Sequence, residues 1–267
     1  REALRWIRVG SAAPMETRGL LAEWDAAAGR LAVWGTTKMP YFNRRTLGGM
    51  LGLEEAQIDF VESDVGGGFG ARGEFYPEDF LVPYLARRLG RPVKWVEDRS
   101  EHFLAINHSR EQQWSVVAGA DGHGRLVALD ATLVNVLGGY LRTHGVWVAA
   151  LTASYLPGPY RWPSYRCHVS CVMTNKTPTG TVRAPGFYEG SFVRERILDM
   201  LAARLGLSPA EIRRRNLARP ADAPYTVNTV AAAVTGRDAD FAGEDFGAMF
   251  EQALEAGQYE ARLAACR

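Results

Sequence analysis

The sequence predicts an α+β fold, with helices packed on mixed, mostly antiparallel sheets, and three observations support it. Apolar residues alternate in several short runs. Strands and helices follow one another without the strict alternation of a doubly wound parallel fold. Asp121-Gly122 sits between two apolar runs, where it marks a hairpin. With 267 residues, 47% hydrophobic and 23% charged, the chain can bury a sizeable core. It reads as a single region over 1–267, with 1–106 and 107–267 as its candidate subdivision.

The elements follow in order. Leu31 to Thr37 reads as a strand, and after Pro40 a short helix is expected from Asn43 or Arg44 to Leu51, with Asn43 as its cap. Gln57 to Val61 alternates like a half-buried strand, while Phe75 to Leu89 carries apolar residues at helical spacing and stops at Gly90. Arg91 to Glu97 reads as a strand and Trp114 to Val136 as the hairpin. Tyr165, Cys167, Val169, Cys171 and Met173 alternate with Arg166, His168, Ser170 and Thr174, which makes a strand with both cysteines inward. Helices are expected over Gly190 to Leu205, from Pro209, and near Glu244 to Glu255. Residues 218–243 lose all periodicity and read as a long irregular loop.

Composition removes several functions. With 31 basic and 30 acidic residues the formal net charge is +1, so neither nucleic acid nor a membrane surface is expected as a partner. Arg213-Arg214-Arg215, the densest basic run, closes the helix opened by Ser208-Pro209, where cations suit the helix dipole. Val146 to Leu156 is the most apolar stretch and is too short for the roughly 20 residues of a membrane helix. Three cysteines without paired CxxC spacing fit a reducing, cytoplasmic setting. Cys167 and Cys171 lie roughly 13 Å apart along their strand, and His168 faces away from them, so they do not share a metal. The first residues carry neither a methionine nor a leader pattern, and the chain is expected to be a fragment.

Two loops carry the functional reading. Val65-Gly66-Gly67-Gly68-Phe69-Gly70-Ala71-Arg72 places four glycines around one ring between a strand and a helix, a pattern that lets backbone amides approach an anion or a cofactor. Thr177-Pro178-Thr179-Gly180-Thr181-Val182-Arg183-Ala184-Pro185-Gly186-Phe187-Tyr188-Glu189 repeats the plan with one arginine, whose planar fork suits phosphate or a metal-bound oxygen. An ion pair between Arg183 and Glu189 accounts for the second loop equally well. A dinucleotide site is the rival for the first, since Gly66, Gly68 and Ala71 match Gly-x-Gly-x-x-Ala. However, Gly73 and Pro77 delay the helix, and Glu97 lies beyond the usual ~20 residues. A Walker loop is excluded by the lack of Gly-Lys-Ser or Gly-Lys-Thr, and no serine or histidine has the spacing of a hydrolase.

The motif order resembles the molybdopterin-binding large subunit of the molybdenum hydroxylases, the xanthine dehydrogenase and aldehyde oxidase family. The resemblance rests on Pro14-Met15-Glu16-Thr17-Arg18-Gly19, the Gly-Gly-Gly-Phe-Gly loop, Gly90 to Arg99, Thr174-Asn175-Lys176-Thr177-Pro178, Arg183-Ala184-Pro185-Gly186 and Glu211 to Leu217. It implies a molybdenum–molybdopterin cofactor, with the cytosine dinucleotide form as an option. Cofactor contacts would come from Gly67, Gly68, Phe69, Gly70, Arg183 and Lys38, with Phe69, Arg183 and Lys38 around the metal and no direct protein ligand to it. Lys38 stands where the family usually has glutamine. Arg72, Glu74, Pro185 and Phe187 are the candidate substrate-pocket residues.

The implied reaction is hydroxylation of an aldehyde or an N-heteroaromatic compound with oxygen from water. Ala184, where carbon monoxide dehydrogenases place a copper-binding cysteine, argues against a molybdenum–copper site. Gly73 and Pro185 argue against purine recognition. The catalytic base and a further pterin motif belong to parts of the subunit absent from this sequence, so no catalytic residue is expected here and the chain alone is expected to be inactive. Implied partners are the rest of the molybdenum subunit, iron–sulfur and FAD-carrying flavin subunits, and a small-molecule substrate. A non-catalytic scaffold or interaction module is the alternative.

Overall fold

A computed structural model describes residues 2–6, 10–109, 111–222, 226–227, 239–240 and 244–266. Two four-stranded sheets organise them. The first joins β2 (Gly19–Asp25), β3 (Arg30–Gly35), β4 (Ile58–Glu62) and β5 (Val93–Val96) in the order β4-β3-β2-β5. Helix α1 (Pro40–Leu51) connects β3 to β4, and this crossover lets the two strands run parallel. Alternation along β3 buries Leu31 and Val33 against Leu20, Ala22, Leu47 and Ile58, and helix α2 (Pro77–Leu89) adds Val82 and Ala86 to this core.

The second sheet runs β1 (Glu2–Trp6), β6 (Glu111–Ala120), β7 (Leu126–Gly138), β8 (Ser164–Met173). Its face is covered by α4 (Gly145–Tyr155), α5 (Phe187–Leu205) and α6 (Pro209–Asn216). Trp114, Leu129, Leu133, Leu156, Leu198 and Ile212 centre that core. Four of the six pairings in the two sheets are antiparallel, which is the expected mixed α+β arrangement. Helices α7 (Phe246–Ala256) and α8 (Tyr259–Ala265) follow, with Phe246 and Phe250 packed on the second core. No helix among the described residues is long and apolar enough to cross a membrane.

Several boundaries differ from expectation. α1 begins at Pro40 and α2 at Pro77, because a proline needs no N–H partner in a first turn. Asn43 therefore lies inside α1, buried, and its Nδ2 donates to Thr37 Oγ1 (3.1 Å) instead of capping the helix. The hairpin turns on Asp121, whose carboxylate accepts from the amides of His123 and Arg125 (both 2.9 Å), and its left-handed glycine is Gly124 rather than Gly122. Along β8, Tyr165, Cys167, Val169 and Cys171 do pack on the core, and burial pushes the Cys167 thiol up to about 11. Met173 breaks the alternation and stays exposed.

β2, α4 and α3 (Arg99–Ala105) had no expectation at all. α4 is apolar on nearly every side, so it shows no helical period. α3 did leave a mark, since Asp98 caps the amide of Glu101 (2.7 Å) and the Glu101 side chain returns to the Asp98 amide. Of the expected loop 218–243, residues 223–225, 228–238 and 241–243 lie outside the described residues. Within it, β9 (Thr226–Val227) and β10 (Ala239–Asp240) pair.

Candidate functional site

β4 delivers the chain to the glycine loop and α2 carries it away. Between them the loop is held from beneath by Arg72, a residue only 4% exposed. Its Nε donates to Gly67 O (2.7 Å), and its Nη2 reaches Glu16 Oε2 (2.7 Å), Glu16 O (3.1 Å) and Thr17 O (3.2 Å). Nη1 contacts Thr36 Oγ1. Glu16 closes the frame by accepting from Gly66 N (2.7 Å) and donating its own amide to Gly66 O (3.1 Å). The approach is so close that a Cβ on Gly66 would stand 2.4 Å from Glu16 Cβ.

The second loop lies against the first. The Arg183 amide donates to Phe69 O (2.8 Å) and Thr181 Oγ1 lies 3.0 Å from Gly70 O. Gly70 has φ +100, and a Cβ there would come 2.4 Å from Thr181 O, so this crossing requires glycine. From behind, Asn107 Nδ2 donates to Thr181 O (2.7 Å), and the Tyr76 hydroxyl sits between Asn107 Oδ1 and Ala71 O. Phe69 (φ 51) and Ala184 (φ 52) flank the contact in the left-handed region, a backbone state that costs on the order of 1 kcal/mol or more per residue and persists where its surroundings fix it.

Other donors at this junction have no protein acceptor among the described residues. The amides of Gly67, Gly68, Phe69 and Gly70 donate to nothing among the described residues. Arg183 is exposed, and its guanidinium makes no ion pair among them, so the alternative tie to Glu189, which is 1% exposed, is not formed. Lys38 is exposed and equally without a side-chain partner, while its backbone is fixed by donating to Arg72 O (2.9 Å). The Lys38 stem leans on the floor of the loop, its Cδ 3.6 Å from where a Gly73 Cβ would be. The junction thus keeps four backbone amides and two cationic side chains that no described protein group accepts from.

The expected substrate-pocket residues divide. Arg72 and Glu74 are buried, with polar groups bonded to protein. Pro185 is half-buried, and Phe187, 49% exposed, stacks on Tyr155 with ring centroids 3.7 Å apart. Gly186 seats the start of α5 on α4, since a Cβ there would meet Leu151 Cβ at 2.7 Å. A separate apolar groove of about 690 Å³, lined by Phe42, Met50, Phe80 and Leu141 among others, includes neither Phe69, Arg183 nor Lys38.

Glu97, the acidic residue of the dinucleotide reading, is buried and binds Arg18 and His102 (His102 Nδ1 to Glu97 Oε2, 2.8 Å). Only a single 3-10 turn, Ala71–Gly73, follows the glycine loop directly, and the α-helix starts at Pro77, too late for its N-terminus to face a pyrophosphate there. Sequence reasoning missed Thr181, Asn107 and Tyr76 as the rear wall. Thr181 stood inside a stretch already singled out, and Glu16 in one marked by resemblance. Nothing in local pattern marked Asn107 or Tyr76.

Residues 5–217 match the family model of the molybdopterin cofactor-binding domain. The chain is similar to the 6-hydroxypseudooxynicotine dehydrogenase complex subunit gamma of Paenarthrobacter nicotinovorans, 38% identical over 93% of this chain and 31% of that one. It is also similar to the nicotine 6-hydroxylase large subunit of the same organism, 37% identical over 81% of this chain and 27% of that one. The solved quinoline 2-oxidoreductase from Pseudomonas putida 86 superposes with a TM-score of 0.87 at 34% identity, over 99% of this chain and 33% of that one. The chain thus spans about a third or less of the length of these relatives.

Proposed function

Because this chain belongs to the molybdopterin cofactor-binding domain family, we propose that it is the portion of a molybdenum-dependent hydroxylase that seats a molybdenum–molybdopterin cofactor between the glycine loop and Arg183. The observation that carries this reading is the Arg183 N to Phe69 O hydrogen bond of 2.8 Å, which brings two distant loops together with their remaining donors unpaired. Those donors fit an oxygen-rich, negatively charged group. Bound there, the cofactor supplies the redox centre that takes up electrons from the substrate.

The chain's own part is to hold and polarise. The amides of Gly67 to Gly70 and the Arg183 guanidinium stabilise negative charge in a fixed frame, so little reorganisation accompanies the reaction. Lys38, whose backbone is tied to Arg72 beneath the loop, adds a second positive charge. The half-exposed Phe69 ring lies over Gly67 of its own loop, 3.1 Å from where a Cβ there would stand, and offers an apolar surface beside the seat. The substrate is an aldehyde or an N-heteroaromatic compound hydroxylated with oxygen from water, in keeping with the nicotine- and quinoline-oxidising relatives. Ala184 supplies no thiol for copper, and Gly73 and Pro185 offer no purine-directed carboxylate or ring.

The base, the cytosine dinucleotide grip if that form is used, and the iron–sulfur and FAD-carrying partner subunits belong to the rest of a cytoplasmic complex. Metal analysis of the intact native complex tests the proposal. Stoichiometric molybdenum with an organic pterin is expected, and a fully assembled complex free of molybdenum refutes it.

A further inference from the structure

Glu74 is a buried carboxylate, 2% exposed, placed where three segments meet. Its Oε1 accepts from Thr181 N (2.8 Å) and lies 3.1 Å from Thr181 Oγ1, two residues before Arg183. Its Oε2 accepts from His144 N (3.1 Å), the residue preceding α4, with His144 Nδ1 at 3.5 Å. The chain makes room for it: a Cβ on Gly180 would come 2.5 Å from Glu74 Oε1. Burial pushes the Glu74 carboxyl up, yet the hydrogen bonds from His144 and Thr181 outweigh that and hold it below the ordinary carboxylate range. It is an ionised clamp that sits behind the seat and has no face toward solvent.

We propose that Glu74 is a positioning residue. Its two carboxylate oxygens set the height of the Arg183 loop against the Phe69 loop and lock both to the start of α4. The inference rests on the cofactor-seat reading above and deepens it.

The chemistry of the clamp makes it specific to a carboxylate. Two backbone N–H groups, from Thr181 and His144, point at opposite oxygens of one side chain. Glutamine has the same size but only one acceptor oxygen, so whichever way its amide turns, one buried N–H faces an NH2 group. Such a loss costs more than an unmade bond, because the group left behind is desolvated. The loop then relieves the conflict by moving, and Arg183 and the Phe69 carbonyl move with it. Thr181 gives a gentler probe: its single hydroxyl proton is shared between reach of Gly70 O and of Glu74, so valine there removes one tie while leaving both clamped amides.

The test uses the complete enzyme complex, comparing wild type with Glu74→Gln and Thr181→Val. Molybdenum content, turnover and the paramagnetic resonance spectrum of the bound molybdenum are measured together. With molybdenum at the wild-type level, Glu74→Gln is expected to lower kcat by about tenfold to a hundredfold and to alter the spectrum, and Thr181→Val to do the same by about threefold. Wild-type kcat and spectrum in Thr181→Val, at normal loading, overturn the inference even where Glu74→Gln fails to fold. So does a Glu74→Gln enzyme whose turnover falls only in proportion to lost molybdenum with an unchanged spectrum, since that is the behaviour of a merely structural residue. A wild-type complex without molybdenum instead sinks the cofactor-seat reading itself.

Discussion

The end of α6 and the junction of the two loops both concentrate cationic side chains, and they use them in opposite ways. At α6, Arg213 pairs with Glu195 and Asp199, Arg214 with Glu251 and Glu211, and Arg215 with Glu211. At the junction, Arg183 and Lys38 face no carboxylate among the described residues, while the cation beneath them, Arg72, is fully engaged with Glu16, Gly67 and Thr17. The denser basic patch is therefore the structural one. On the proposed reading, the ligand site is marked by donors that the fold has positioned and left without protein acceptors, more than by the amount of charge.

The largest expected effect tests this contrast directly. In the complete enzyme, Arg183→Ala should lower kcat/KM by on the order of a hundredfold or more, as loss of a preorganised donor to developing charge does. Arg214→Ala should leave turnover within about twofold of wild type and stability within about 1 kcal/mol, because exposed ion pairs contribute little. Steady-state kinetics and chemical denaturation on the same two variants decide it. Comparable losses in both would break the distinction between paired and unpaired arginine.

Much of this was legible in the sequence because the relevant constraints are local. Four glycines around Phe69 mark close backbone approach whatever surrounds them. Proline and glycine around Arg183 mark a second bend, and alternation in β3 and β8 marks faces. What was not legible depends on contacts distant in the chain. Glu74 has no local partner, and its function appears only when Thr181 and His144 arrive from 107 and 70 residues away. Arg72 looks from sequence like a pocket residue because it follows the glycines, yet Glu16, 56 residues earlier, claims it. α4 escaped because a helix buried on nearly every side carries no period to detect.

A middle-sized effect sharpens the comparison through the backbone. Gly70→Ala places a methyl 2.4 Å from Thr181 O at φ +100, so crowding and strain together should destabilise the folded protein by about 3 kcal/mol. Gly49→Ala, on the open side of α1 with nothing within 4 Å, should instead stabilise by about 0.5 kcal/mol, since glycine in a helix interior is unfavourable. Denaturant midpoints at constant slope measure both. A Gly70→Ala protein as stable as wild type would mean that the two loops are not pressed together as described.

The smallest effect concerns carboxyls on the two sides of the comparison. Glu211 at α6 is held below its ordinary value by the hydrogen bond from Arg215, so its contribution is complete above about pH 4.5 and fades as pH falls through its lowered value. Asp79, in the first turn of α2 behind the glycine loop, behaves oppositely: burial pushes it up to about 6 from 3.8, although its Oδ2 accepts from Tyr76 N at 2.7 Å. Between those two values the folded state holds the proton more tightly than the unfolded chain, so stability falls as pH rises through this window, and the loss persists above it. Asparagine keeps an acceptor for the Tyr76 amide and removes the ionisation. Asp79→Asn should therefore raise stability by about 1 kcal/mol near pH 7.5, with the gain vanishing below about pH 4. Glu211→Gln should do the reverse, losing a few tenths of a kcal/mol at neutral pH and nothing in acid. Thermal midpoints of both variants across pH 4 to 8 give the answer, and parallel curves for the two would show that the helix start behind the loops is no less well paired than the end of α6.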